Sequence, residues 1–370
     1  MKIRIITFQR ANNYGALLQC YALYSYIKKL NFDTKVLDYR NPYIESQYSV
    51  VPESGNIKKI LTYMIKYLHP SYKWQLVRKK RFELFRERIE FTDSIIKTNL
   101  KKLGIDCDLV ISGSDQILNP DITDGFDDVY YLNFPCTGIK ATYAASIGSL
   151  NSKLIKSKLF FDKIKAADFL SIRERDACEY ISRNLNKNVH QSVDPTLLLG
   201  RKTWDNTIEN IHYNIPNEYI LLYYLERNQE LIEAAEKLSL TRKIPVLYFN
   251  NNAKLNCSKQ FCGDAGPLEF VWLIKNSSVV VTSSFHASVF SFLYEKEIYI
   301  MTHSKTGSRV ASLAEMFGAR KVICASIDEF IKKSETHESE SGYLGSLNCI
   351  KKDSQAYIVN LIEKAERKNE

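Results

Sequence analysis

The sequence predicts an α/β protein of two domains, each a parallel sheet with helices packed on its faces. Three observations carry the prediction. The stretch VVVTSSFHASVFSF, Val279 to Phe292, reads as a buried strand, a turn and a helix: Val279 to Thr282 form a β-branched run suited to a sheet covered on both faces, and Ser283 and Ser284 offer N-cap oxygens. Segments of this kind recur, strand patterns alternating with helix patterns over most of the chain. Finally, 370 residues with 45% hydrophobic and 25% charged side chains exceed one ordinary α/β core and suit two.

Composition sets outer bounds. The opening MKIRIITF is too short an apolar run for a signal peptide and reads as a first strand, and no run reaches the roughly 18 apolar residues of a membrane span. The eight scattered cysteines suit reduced thiols, so a cytoplasmic protein is expected. Cys257 and Cys262 alone are close in sequence, but they lack a second ligand pair, and no metal site is expected. The net charge of +9 points to an anionic partner: a phosphorylated substrate, nucleic acid or an acidic membrane surface.

In chain order, Lys2 to Phe8 is the first strand, and Gly15 opens a helix with apolar positions Leu17, Leu18, Tyr21, Ala22 and Tyr26. Asn12, Asn13 and Tyr14 then fall on a strand-to-helix loop where a glycine lets a ligand approach the backbone, with an ordinary polar turn as the alternative. The loop is not a GxGxxG fingerprint. Val36 to Tyr39 is a second strand. From about 57 to 90 follows a basic helical insertion, IKKILTYMIKYL and YKWQLVRKKRFELFRERIEF, broken at His69 and Pro70. Its face suits an anionic bilayer surface with Tyr67, Tyr72 and Trp74 at the interface; a solvated basic helical pair is the alternative.

Regular alternation resumes with strand Leu109 to Ser112 and the polar loop Gly113, Ser114, Asp115 and Gln116. Strand Ala141 to Ser146, a helix from about Ser152 to Ala166 and strand Phe169 to Ile172 follow, with Arg173, Glu174 and Arg175 at the last strand's end. An arginine there is a good bidentate ligand for phosphate or carboxylate; a salt bridge to Glu174 or Asp176 is the alternative. Asp194 in VDPTLLL caps a turn or meets a ligand. Apolar alternation lapses between Gly200 and Pro216, which sets the domains at 1–205 and 206–350, with a C-terminal helix over 351–370. The second series runs from Tyr219 through helix Gln229 to Ser239, strand Pro245 to Phe249, helix Pro267 to Asn276, the 279–292 stretch and strand Ile298 to Met301. Beyond that strand lie two cations, Lys305 and Arg309. His286 sits at the entry of its helix, at the carboxyl end of a strand where α/β proteins collect ligands. Its alternative is to fix the turn by a hydrogen bond to a carbonyl.

The ordered set NNYGALLQCYAL, ISGSDQILNP, YAASIG, SIRERDA, VDPTLLL, GPLEFVWLIKNSSVVVTSSFHASVFS and SKTGSR, spanning residues 12 to about 320, resembles the polysaccharide pyruvyl transferase family. The resemblance implies a GT-B-like architecture, two Rossmann-like domains facing across a cleft, with acceptor and donor sides on the N- and C-terminal domains respectively. It implies transfer of pyruvate from phosphoenolpyruvate onto a sugar as a ketal in a capsular, exopolysaccharide or other cell-envelope glycan, without a cofactor. His286 matches the family histidine and Arg173 the family arginine. Many members carry an arginine where this chain has Ser284, so Lys305 or Arg309 is expected to supply that charge at the donor site.

Ketal formation from an enol phosphate needs a group titrating near neutrality, which suits His286, and cations for carboxylate and phosphate, which suit Arg173 with Lys305 or Arg309 near Ser284. Asp115 is a candidate base, and Asn13, Tyr14, Gly15, Ser114 and Gln116 are candidate acceptor-binding residues. The expected acceptor is a hexose-containing glycan; a lipid diphosphate carrying it would draw the enzyme to the inner face of the membrane through 57–90. The competing enzyme reading is a GT-B-like glycosyltransferase using a nucleotide sugar. Nucleic-acid binding is not expected, because the basic residues lie in one insertion and no recognised nucleic-acid motif is present.

Overall fold

The computed structural model describes residues 1–48, 71–249, 262–301, 307–336 and 343–369. In chain order the elements are β1 (Lys2–Ile6), α1 (Tyr14–Lys28), β2 (Asp33–Tyr39), α2 (Pro42–Gln47), α3 (Ser71–Arg86), β3 (Phe91–Ile95), α4 (Lys97–Leu103), β4 (Leu109–Asp115), β5 (Ile139–Ala145), α5 (Lys158–Ile164), β6 (Leu170–Ile172), α6 (Arg175–Leu185), β7 (Val189–Gln191), α7 (Pro195–Ile208), β8 (Ile220–Tyr223), α8 (Gln229–Arg242), β9 (Val246–Tyr248), α9 (Pro267–Asn276), β10 (Val279–Thr282), α10 (Phe285–Leu293), β11 (Glu297–Ile300), α11 (Gly307–Met316), α12 (Ile327–Glu335) and α13 (Leu344–Asn369).

The chain forms two units: unit 1 is Met1–Gln47, Glu87–Gly200 and Gly345–Glu370, and unit 2 is Tyr48–Arg86 and Arg201–Leu344. One boundary falls at Gly200, where φ of 73° breaks α7. The remainder of the division is discontinuous where the sequence suggests contiguous domains. The reason is side-chain chemistry. Arg81 of α3 places its guanidinium against the carboxylates of Asp264 at 3.1 Å and Glu269 at 3.2 Å and over the ring of Tyr213, all in unit 2. The terminal helix α13 returns to unit 1: Tyr357 donates to the Thr142 carbonyl, the Val193 N–H donates to Ser354 Oγ, and the His190 ring stacks on Tyr357 at 4.7 Å.

Unit 1 holds a parallel seven-stranded sheet in the order β3-β2-β1-β4-β5-β6-β7. Its centre is apolar on both faces: Ile3, Ile5, Leu109, Val110 and Ile111 are fully buried, as a parallel sheet sandwiched between helix layers requires. Unit 2 holds a parallel four-stranded sheet in the order β11-β10-β8-β9. Val279 and Val281 of β10 face a core with Ile220, Leu222, Leu231, Ala235 and Phe330. In each sheet the chain winds one way from a first strand and then the other way from its neighbour. The reversals fall between β1 and β4 and between β8 and β10, the crevices where such sheets receive ligands at their carboxyl edges.

Several elements differ from the sequence expectations. The basic insertion is a helix only over Ser71–Arg86 among the described residues; its first piece and Tyr67 lie outside them. Tyr72 is buried rather than interfacial, while Trp74 is 41% exposed. Phe91–Ile95 is an edge strand, hidden from pattern reading because its solvent-reaching FTDSI has no apolar run. Pro195 opens α7 as a first-turn proline, and Trp204 buries itself against Phe290 where the sequence suggests a lapse.

Candidate active site

At the β1/β4 reversal of unit 1 the polar loops are built from within. Asn13 caps α1: its Oδ1 accepts the Ala16 N–H at 3.1 Å, which holds the half-buried Asn12 and Asn13 at the helix entry. Gly113 has φ of 143°, and a Cβ there would stand 2.1 Å from the Tyr143 carbonyl oxygen, so only glycine lets β4 lie this close to β5. The Gly113–Ser114 peptide is cis. Ser114 is fully buried; its hydroxyl donates to the Ala144 carbonyl at 2.6 Å and its N–H to Gln19 Oε1 at 2.9 Å. Gln19 also donates to Thr7 Oγ1 at 2.7 Å. Ser114 thus shapes the loop, and the groups that reach the surface are Asp115 and Gln116, both half-buried. Asp115 has φ of 67°, a left-handed conformation that aspartate tolerates, and its Oδ1 accepts the Gln116 N–H at 2.8 Å. Gln116 accepts from Asn119 Nδ2 at 3.0 Å. Tyr14 and Gly15 are buried in the first turn of α1.

Arg173 leaves the end of β6 at the same edge. It is 3% exposed, with Nη1 2.9 Å from Asp194 Oδ2 and Nε 3.3 Å from Glu174 Oε1. Thr196 in turn donates its hydroxyl to Asp194 Oδ1 at 2.7 Å. Burial works against the guanidinium charge, but Glu174, Asp194 and the nearby Asp115 outweigh it and hold its pKa above the ordinary arginine value. The expected donor ligand is therefore found inside an ion triad, one cation between two buried carboxylates. One of these is the alternative partner read from the sequence, Glu174; the other, Asp194, lies on the next strand's loop.

A cavity of about 480 Å³ opens along the same edge, at the ends of β2 and β3, lined by Tyr39, Asn41, Tyr43, Ile96, Phe126 and Asp127 among others. Its polar wall is fixed by Asp127, which accepts from Tyr39 Oη at 2.7 Å and Asn41 Nδ2 at 2.9 Å and pairs with Lys97 at 3.1 Å. Next to it Arg10 donates to Asp38 at 2.6 Å; burial opposes the Asp38 charge, but Arg10 and Ser94 keep its carboxyl below the usual range.

In unit 2 the β8/β10 reversal is pinned by Thr282, whose hydroxyl donates to the Tyr223 carbonyl at 2.6 Å and accepts the Ser284 N–H at 3.0 Å. Ser284 is the N-cap of α10, its Oγ accepting from the Ala287 N–H at 3.4 Å. His286 follows in the first turn, half-buried, its ring edge-on to Phe285. Arg309, buried, lies in the first turn of α11, the helix after β11. Lys305 lies outside the described residues. Among the described residues no group of three His, Cys, Asp or Glu side chains is placed to hold a metal ion.

The sequence reading missed the residues that hold the site's walls. Gln19 and Thr7 fix Ser114; a glutamine on the buried face of LLQCYAL is a signal for such a role, since an amide inside a core must find partners. In the sequence Asp194 reads only as a turn cap or ligand, because its pairing with Arg173 joins residues 21 apart.

Two doubly wound parallel sheets with polar loops gathered at their reversals define the GT-B class, and solved structures of that class match the chain over its whole length. The UDP-N-acetylglucosamine 2-epimerase from Rickettsia bellii has a TM-score of 0.54 at 10% identity, covering 100% of this chain and 98% of that one. The UDP-GlcNAc 2-epimerase from Neisseria meningitidis has a TM-score of 0.51 at 12% identity, covering 98% and 100%. At these identities the likeness establishes the fold. No curated protein matches the sequence. The family model for polysaccharide pyruvyl transferase matches residues 13–305, and the chain belongs to that family.

Proposed function

We propose that this family member is a pyruvyl ketal transferase taking phosphoenolpyruvate as donor and a hexose-containing glycan as acceptor. The observation that carries the reading is the placement of His286, half-buried in the first turn of α10 at the β8/β10 reversal, where a helix amino end favours an anion. In this reading His286 as imidazolium protonates the methylene carbon of the enol phosphate. A sugar hydroxyl attacks the adjacent carbon and gives its proton to a base, phosphate leaves, and a second hydroxyl closes the ketal. The net change is one phosphoenolpyruvate and one diol to one ketal and one inorganic phosphate. Asp115 is the candidate base on the acceptor side. Arg309 and Lys305 remain the candidate cations for the donor.

Arg173 enters as a positioning residue: a guanidinium already facing two buried carboxylates offers little net positive charge to an incoming anion, and its triad fixes the β6 and β7 ends beside Asp115. The 480 Å³ cavity is the acceptor subsite in this account, since Tyr43 and Ile96, 41% and 50% exposed, give a sugar ring apolar faces beside the Asn41 and Asp127 polar wall. Calorimetric titration tests the donor: phosphoenolpyruvate binds and UDP-GlcNAc does not. Binding of the nucleotide sugar alone would favour a glycosyltransferase.

No helix of the described residues is long and apolar enough to cross a membrane. One face of α3 exposes Lys73, Trp74, Leu76, Val77, Lys80, Glu83 and Leu84, which sets apolar side chains beside two lysines and one glutamate. It supports peripheral contact with an anionic bilayer, through which a lipid-linked acceptor would be met.

A further inference from the structure

We propose that Cys107 and Cys136 form a dithiol that hydrogen peroxide oxidises to an intramolecular disulfide. Both sulfurs are in unit 1, 3.7 Å apart and unbonded. The two segments that carry them are locked together by backbone. Ile105 bridges Cys136, the Cys107 N–H donates to Thr137 Oγ1 at 3.3 Å, and the Thr137 hydroxyl donates to the Cys107 carbonyl at 3.0 Å. A Cβ on Gly138 would stand 2.2 Å from the Asp108 carbonyl oxygen, so the chains touch at this point. Closing the sulfurs to the bonded separation of about 2.05 Å therefore asks for side-chain rotation, with the backbones already in contact.

Access and charge divide the two roles. Cys107 is 1% exposed, whereas Cys136 is partly exposed and is the sulfur a small peroxide reaches. The contact with Cys107, the Gly138 backbone, Lys140 and Lys368 outweigh burial, which opposes the charge, and lower the Cys136 thiol below its usual value. Lys368 is held there by donating to the Thr137 carbonyl at 3.1 Å. A lowered thiol pKa favours the thiolate, the form that attacks a peroxide. The thiolate attacks one peroxide oxygen, the O–O bond breaks, and the departing hydroxide takes a proton to become water, leaving a sulfenic acid on Cys136. Cys107 sulfur then attacks the sulfenyl sulfur, and its thiol proton leaves with the hydroxyl as a second water. Two thiols and one peroxide give one disulfide and two waters. The pair precedes β4 and β5, at the opposite sheet edge from Asp115 and Arg173, so the chemistry is separate from the candidate active site.

The test is peroxide treatment of the folded full-length protein, followed by peptide mapping without reduction. The expected result is a linked peptide containing Cys107 and Cys136, a loss of two hydrogen masses, and full reversal by dithiothreitol. Cys107→Ser should stop at a Cys136 sulfenic acid that dimedone traps, and Cys136→Ser should leave Cys107 unmodified. The exposed Cys349 is an internal control for peroxide delivery. Oxidation of Cys349 with both Cys107 and Cys136 still reduced would overturn the proposal. So would a wild-type map with Cys136 over-oxidised beside a free Cys107, or with the cross-link elsewhere. The wild-type map decides even if a serine variant folds poorly.

Discussion

Replacing Arg173 by alanine separates two roles that the same residue could serve. Its guanidinium is 3% exposed and lies 2.9 Å and 3.3 Å from two carboxylates whose side chains are 0% and 4% exposed. Removing the one cation leaves both carboxylates buried without it, and breaking a buried ion pair from one side costs about 3–5 kcal/mol. Against a typical total of about 5–15 kcal/mol, that is a large loss, and it should be concentrated at the β6 and β7 ends of unit 1. Urea unfolding followed by amide exchange on peptides spanning Leu170–Gln191 reads it locally. Adding Asp194→Asn to Arg173→Ala should recover part of the loss, a coupling of about 0.5–3 kcal/mol, because one stranded carboxylate is then gone. Turnover should fall with little selective rise in the apparent donor constant. An Arg173→Ala protein within about 1 kcal/mol of the parent, with only its donor constant raised, would refute the positioning role and return Arg173 to the donor site.

Three further outcomes follow from the geometry. His286→Ala should lower turnover by roughly 10²–10⁴-fold with the fold intact by circular dichroism; full activity in a folded variant would remove the general acid. Asp128 is clamped by Lys101, Lys163 and Asn133, which outweigh burial and hold its carboxyl at about 2. Because that value is below the unfolded one, its stabilisation is present above about pH 4 and is lost as pH falls toward 2. Asp128→Asn should therefore cost on the order of 1–2 kcal/mol at pH 7, with urea midpoints converging on the parent's below about pH 3. Glutamate at Lys73 and Lys80 should abolish sedimentation with anionic vesicles and leave neutral vesicles unbound; unchanged binding would discard the membrane face of α3. Arg81 is the wrong residue for that reversal, since its pairs with Asp264 and Glu269 dock the helix on unit 2.

Local chemistry was legible where pattern and burial coincide. The β10-turn-α10 stretch is a continuous apolar strand followed by a serine cap, and Val279–Thr282 and Phe285–Leu293 stand where the periodicity puts them. Edge and short strands were not: Phe91–Ile95 and Val189–Gln191 have few buried side chains to leave a pattern. Nor were contacts between distant segments. The sequence offers Arg173 with Glu174 beside it, but the choice of Asp194 depends on β6 and β7 being neighbours. Arg81 reads as one more cation on a basic face until Asp264 and Glu269 meet it, and Ser114 reads as a loop hydroxyl until Gln19 and Ala144 close over it.

The central claim is tested most directly by incubating the protein with phosphoenolpyruvate and a panel of lipid-linked and nitrophenyl hexosides, measuring product mass and released phosphate together. A ketal transferase yields an acceptor whose mass rises by one ketal-linked pyruvate, phosphate released in equal amount, and loss of both with His286→Ala. Transfer of a sugar from a nucleotide sugar to the same panel, with phosphoenolpyruvate left intact, would contradict it.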